Sequence, residues 1–224
     1  MIPFTTVVVD YGGVLTNPLS ETFDAFARQV GISSDALATA FLAATERHGQ
    51  TPMAALEVGA ITERQMVERV AAELPPGDDE ALAVLGERPF GELWFAGRTP
   101  NEPFLLFLRK IAAEGHRLAL LTNNVREWRP RWRAQLPVDE LFSVVVDSHE
   151  EGVRKPDPRI YRILLERLGA SPQECLFVDD TKENCDAAES LGIRSVLFTD
   201  TDSAIDQLTE ALRTPLINSP GGTR

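Results

Sequence analysis

Five short apolar segments limit the fold of this chain more than any other feature: "TTVVVD", "RLALLTNN", "FSVVVDS", "CLFVDD" and "RSVLFTD", each closed by a polar residue. Four are nearly continuous apolar runs, not alternating ones. A strand that is apolar on both faces has to be covered on both faces, which is the situation of a parallel sheet flanked by helices. Amphipathic stretches separate the later segments. In "EPFLLFLRKIAAEG", Phe104, Leu105, Phe107, Leu108, Ile111 and Ala112 recur at helical spacing, and Gly115 can end the helix. "PRIYRILLERLGA" repeats the design with Ile160, Ile163, Leu164 and Leu168. From about residue 100 onward the order helix, strand, helix, strand predicts an α/β fold built on a doubly wound parallel sheet.

The span between the first strand and residue 100 breaks that rule. It holds helical patterns near 20–30, 34–47, 62–74 and 78–86 and no convincing strand. We read it as an all-helical insertion of roughly 80 residues, placed where a lid would stand over the first strand's end. The expected organisation is a core from residues 1–17 and 97–214, a helical cap from 18–96, and a flexible tail at 215–224, where "TPLINSPGGTR" is polar and rich in Gly and Pro.

Charge narrows the function classes. Thirty-four acids against 22 Lys and Arg give a net charge of -12, which opposes non-specific association with nucleic acid or an anionic membrane. No apolar stretch approaches the ~18 residues of a membrane-spanning helix, and "MIPFTTVVVD" lacks a basic n-region, so a cytoplasmic protein is expected. Cys175 and Cys185 sit in no metal-binding spacing and read as reduced packing residues.

Ligands of an open parallel sheet bind beyond the carboxyl ends of its strands. Those ends carry Asp10, then Thr122 and Asn123, then Asp147 and Ser148, then Asp179 and Asp180. Lys155, in "GVRKPDPRIY", follows the third strand and precedes a helix, which puts an ammonium among carboxylates that would otherwise repel one another. Such a place suits a cation and an anion together. Each of these residues has a plainer reading alone: a turn for Asp10 or the late aspartates, a helix cap for Thr122, a solvated charge for Lys155. Gly12 and Gly13 need be no more than turn formers tolerant of positive φ.

Taken in order, "VVVDYGGVLT", "LALLTNN", "GVRKPDPRIY" and "LFVDDTKENCDAAESLGI" resemble the four motifs of the haloacid dehalogenase-like hydrolase superfamily, and the helical insertion resembles the cap of one of its subgroups. The resemblance implies a phosphatase in which Asp10 is the nucleophile that accepts a phosphoryl group, giving an aspartyl-phosphate that water hydrolyses. It implies Mg²⁺ as cofactor, held by Asp10, the Gly12 carbonyl and Asp180, with Asp179 acting through water or on Lys155. It further implies that Thr122, Asn123, Lys155 and the Gly12–Gly13 turn surround the phosphoryl oxygens, with Asn184 supporting the fourth loop. The partner would be a small phosphorylated metabolite bound by a monomer or homodimer, with no nucleic acid or membrane involved.

One position departs from the pattern. Most phosphatases of that family carry a second aspartate two residues after the nucleophile, as general acid and base, and this chain has Gly12. A backbone carbonyl survives the change; proton transfer does not. Such assistance is typically worth about 10² to 10⁴ in rate, so a bias toward stabilised leaving groups, sugar 1-phosphates among them, is expected, or a group borrowed from the cap, His48 or Glu57. Two alternatives stay open: a dehalogenase-type hydrolase on the same fold, and a non-catalytic protein that keeps the metal and phosphate pocket. A phosphonate hydrolase would need a cap lysine, and no lysine occurs between residues 1 and 109.

Two further stretches stand out. "REWRPRWRAQ" gathers arginines around Trp128 and Trp132; we read an amphipathic helix with the tryptophans packed inward in preference to a contact for an anionic group. "LEVGAITERQ" could turn Glu57, Gly59 and Ile61 toward a substrate, or form a plain interhelical turn at Gly59.

Overall fold

The computed structural model describes residues 4–213 apart from residues 76 and 78; the tail expected at 215–224 lies outside the described residues. Among them, β1 (Thr6–Val9), β2 (Arg117–Thr122), β3 (Val144–Asp147), β4 (Cys175–Asp179) and β5 (Arg194–Leu197) form one parallel sheet in the order β3-β2-β1-β4-β5. The five strands fall on the five apolar segments. β1 and β4 are buried at every position, whereas the edge strands β3 and β5 are only partly covered.

β1 shows why its run is continuous. Val7 and Val9 enter a core shared with helices on one face, and Val8 enters a second core on the other. Before β1 is paired with β2, the chain passes through α1 (Leu19–Val30), α2 (Ser34–His48), α3 (Pro52–Glu57), α4 (Glu63–Ala71), α5 (Asp79–Glu87) and α6 (Phe90–Ala96), with no strand among the described residues of that span. Four of these were expected; α3 and α6 were not. The path out and the path back lie side by side, since Asn17 N–H donates to the Thr99 carbonyl at 2.9 Å and Asn101 N–H to the Leu15 carbonyl at 2.9 Å.

The rest of the sheet is wrapped by α7 (Glu102–Ala113), α8 (Arg129–Gln135), α9 (Val138–Leu141), α10 (Ser148–Glu151), α11 (Pro158–Leu168), α12 (Lys182–Ser190) and α13 (Thr201–Arg213). The Asn101 side chain caps α7 by accepting from the Phe104 N–H at 3.3 Å. Its stripe of Phe104, Leu105, Phe107, Leu108 and Ile111 is buried, as its spacing requires. In α11, Asp157 caps the first turn and Gly169 ends the last in a left-handed conformation. No helix among the described residues is long and apolar enough to cross a membrane.

Candidate active site

The strand order reverses beside β1, which runs between β2 and β4, and a crevice at such a reversal is where an open α/β sheet takes a ligand. β1 delivers Asp10 to that edge, and β4 delivers Asp179 and Asp180. Lys155, from the loop between α10 and α11, reaches them with an ammonium 2.6 Å from Asp10 Oδ1 and 2.6 Å from Asp179 Oδ2. The lysine is 1% exposed. Burial works against its charge, but Asp10 and Asp179 outweigh that cost and hold its pKa above the ordinary value. For Asp10, burial pushes the pKa up to about 7; Lys155 pulls against the rise, and Asp179 and Asp180 add to it.

Each partner is braced in turn. Asn123 pairs with the backbone of Lys155, its Oδ1 accepting from the Lys155 N–H at 2.8 Å and its Nδ2 donating to the Lys155 carbonyl at 3.1 Å. Asp179 Oδ1 accepts from the Thr181 N–H at 2.9 Å and from Asn184 Nδ2 at 2.9 Å. With Lys155 on Oδ2, the Asp179 carboxylate is therefore held at both oxygens. Thr122, at the end of β2, is buried, and its hydroxyl has no partner among the described residues. A buried hydroxyl left without a partner is uncommon, and it fits a site meant for an oxyanion.

Gly12 and Gly13 differ from one another. Gly13 has φ +83°, and a side chain there would overlap the Asp180 carboxylate. Gly12 has no such conformation, so the expectation of a φ-driven glycine holds at Gly13 only. At Gly12 the constraint is space: a Cβ would stand 3.1 Å from Arg98 Nη1. One carboxylate oxygen each from Asp10, Asp179 and Asp180 lies within 4.8 Å of the others, a hard, all-oxygen donor set suited to a divalent cation. For Asp180, burial first and Asp179 second raise the pKa, with Lys155 opposing; a cation there would favour its ionised form.

Above these groups is a cavity of about 720 Å³, a size that suits a small molecule. Asp10, Lys155 and Asp180 line its floor; Leu19 and Phe23 of α1, Met53 and Glu57 of α3, and Trp94 and Phe95 of α6 line its walls. Glu57 is paired with Arg154 at 2.7 Å, and burial raises its pKa against that pairing. His48 does not meet the site: it is exposed at the end of α2. Asp147 lies at the end of β3 and Ser148 just after it, as expected, but their side chains make structural contacts, local for Asp147 and to α3 for Ser148. Asp147 caps α10 and holds His149 Nδ1 at 2.8 Å, and the Ser148 hydroxyl donates to the Glu57 carbonyl at 2.6 Å. Gly59 turns the chain with φ +69° and Ile61 is buried; neither lines the cavity.

Trp128 and Trp132 are buried while Arg126, Arg129 and Arg131 stay exposed, in line with the inward-packing reading. Trp128 does more than fill the core. It stacks on Phe90 at 5.8 Å, contributes to the cavity wall and donates its indole N–H to Glu63. Sequence reasoning missed Arg98 altogether, because an arginine between two helices carries no local signal.

The sequence model of one family, described as haloacid dehalogenase-like hydrolase, matches residues 4–192. The chain belongs to this family. Among characterised proteins, it is 39% identical over 110 residues to acyl-CoA dehydrogenase family member 10 of Mus musculus, a match covering 49% of this chain and 10% of that protein. It is 33% identical over 152 residues to the phosphoserine phosphatase of Thermus thermophilus, covering 67% of this chain and 60% of the relative. The chain thus spans less than two thirds of either relative. A HAD family enzyme of Bacteroides thetaiotaomicron, solved in complex with magnesium and inorganic phosphate, has the same fold at TM-score 0.59 and 22% identity, covering 86% of this chain and 93% of that one.

Proposed function

We propose that the protein is a magnesium-dependent phosphatase that hydrolyses a small phosphorylated metabolite through an aspartyl-phosphate on Asp10. The observation that carries this reading is the Lys155 ammonium, 2.6 Å from both Asp10 and Asp179, at the floor of the cavity. The relative that is a phosphoserine phosphatase and the fold neighbour crystallised with magnesium and phosphate support it.

Magnesium among Asp10, the Gly12 carbonyl and Asp180 would neutralise phosphoryl oxygens so that one anion can meet another. The chain's own groups supply the rest. Asp10 attacks phosphorus; Lys155 and the Thr122 hydroxyl hold the equatorial oxygens; Asp179 and Asn123 fix Lys155 in place. The backbone of Asn123 and of Gly12–Gly13 completes the cradle. Asn184 steadies Asp179. Water then attacks the phosphorus of the intermediate and returns Asp10 as a carboxylate. We assign residues 1–17 and 97–214 to the catalytic core and residues 18–96 to a cap whose apolar wall excludes water and selects the substrate.

Phosphate release from a panel of phosphorylated metabolites and aryl phosphates, with and without Mg²⁺, tests this. Release should require the metal and fall by at least about 10³-fold in Asp10→Asn, which removes the nucleophile. Binding of phosphate without turnover would make the protein a binder, and halide release from a 2-haloacid without metal would make it a dehalogenase.

A further inference from the structure

Three cations line the cavity among the described residues, and two are already neutralised. Lys155 lies between Asp10 and Asp179, and Arg154 is paired with Glu57 at 2.7 Å. Arg98 has no carboxylate within ion-pair distance among the described residues, although it is only 8% exposed. Its Nη1 donates to the Thr16 hydroxyl at 3.2 Å, and its Nε has no partner. Three rings fix the guanidinium in place, with Tyr11 at 5.4 Å, Trp94 at 5.6 Å and Phe95 at 5.7 Å. A buried guanidinium without an ion pair is costly to keep; Thr16, Tyr11 and the attraction of Asp10 and Asp180 offset part of that cost, and an anion entering the cavity would offset the rest.

Its location says which anion. A Cβ on Gly12 would stand 3.1 Å from Arg98 Nη1, so the guanidinium occupies the space a side chain at position 12 would use. Lys155 holds Asp10 from the floor, and a group displaced from phosphorus by Asp10 leaves in the opposite direction, toward the cavity and its walls. Of the three cations, Arg98 is the one without an ion pair, and it stands beside Gly12 in that cavity, within the attraction of Asp10 and Asp180.

We propose that Arg98 is the catalytic cation that carries the negative charge of the departing oxygen, in the place of a proton donor; this rests on the phosphatase reading above. A lone pair of Asp10 forms the new O–P bond while the ester P–O bond breaks. The electron pair of that bond stays on the leaving oxygen, which accepts hydrogen bonds from the guanidinium and departs as an anion. Arg98 keeps its protons; the released anion takes a proton from water. This chemistry selects phosphate esters of acidic hydroxyls, and the wall of Phe23, Trp94 and Phe95 suits one with a flat apolar body, such as an aryl phosphate.

The test compares kcat/KM, with Mg²⁺ present, for aryl phosphates graded from nitro- to alkyl-substituted phenols. Arg98→Gln should lose about 10²-fold or more on the least acidic phenol, the scale of removing one donor to a developing oxyanion, and far less on the most acidic. Its dependence on leaving-group pKa should steepen, and Arg98→Lys should restore much of the loss. A uniform loss across the series, or none, overturns the assignment while leaving the phosphatase standing. The wild-type enzyme supplies a measurement that no misfolded variant can spoil: a solvent deuterium isotope effect on kcat/KM close to unity is expected, and a large normal effect shows a proton in flight and overturns the assignment. No release from any ester by the wild type overturns both readings.

Discussion

Replacing Lys155 by methionine would leave Asp10 and Asp179, both buried, without the ammonium that now lies 2.6 Å from each. Removing one partner of a buried ionic cluster typically costs about 3–5 kcal/mol. The loss should depend on pH, and the sign follows from Asp10. Burial already raises its pKa to about 7, so its ionised form opposes folding, and that opposition sets in as pH rises from the unfolded carboxylate range through about 7. Without Lys155 the rise is larger. Urea unfolding of Lys155→Met in chelator should therefore show a deficit that is greater at about pH 8 than at about pH 6; a deficit equal at both would show that the pair carries no such charge coupling. The residues of this cluster were legible because strand-end polar groups are few and their types match one chemistry. Arg98 was not. Its meaning depends on the pairing of Thr16 with Pro100, which sets a residue 86 positions away beside Gly12, and no local pattern records that.

At the level of elements, the strands could be read because both sheet faces are buried and a run such as "VVVD" then has no other stable home. α3 and α6 escaped notice for the opposite reason: six and seven residues are too short to establish a helical period, and α6 contains Gly91. Gly91 is there because a Cβ would press into the Trp128 ring. α8 starts only at Arg129 because Pro130, tolerated in a first turn, is preceded by a short 3₁₀ segment at Arg126–Trp128. Packing of β4 against α12 also fixes the thiols. Burial pushes Cys175 up to about 11 and Cys185 up to about 12, and since a raised pKa leaves less thiolate at any pH below it, both should be far less reactive than a free thiol of pKa ≈ 8.5. At about pH 8, alkylation of the folded protein should be slower than that of the urea-unfolded chain by at least 10²-fold. Mass spectrometry after timed iodoacetamide treatment checks this, and labelling at equal rates would mean that β4 and α12 open readily.

For the molecule as a whole, the helices of residues 19–96 and the sheet share one cavity whose floor holds three crowded carboxylates, in a chain already carrying a net charge of -12. Bringing those acids together opposes folding, and a divalent cation bound only by the folded form removes the opposition. At a metal concentration a hundred times its dissociation constant, that linkage is worth about 2.7 kcal/mol, or a rise of roughly 5–10 °C in Tm for a chain of this size. Any salt screens a charge of this magnitude, so the comparison must be made against NaCl at matched ionic strength. Mg²⁺ should raise Tm well beyond that control, chelator should abolish the gain, and Asp180→Asn, which keeps the side chain's shape and removes its charge, should blunt it. An equal shift from NaCl would show general screening and no bound ion. Because melting reports on the site without any turnover, this measurement separates a metal-loaded protein with the wrong substrate from one that never takes the metal, and only the second outcome removes the cation from the proposed chemistry.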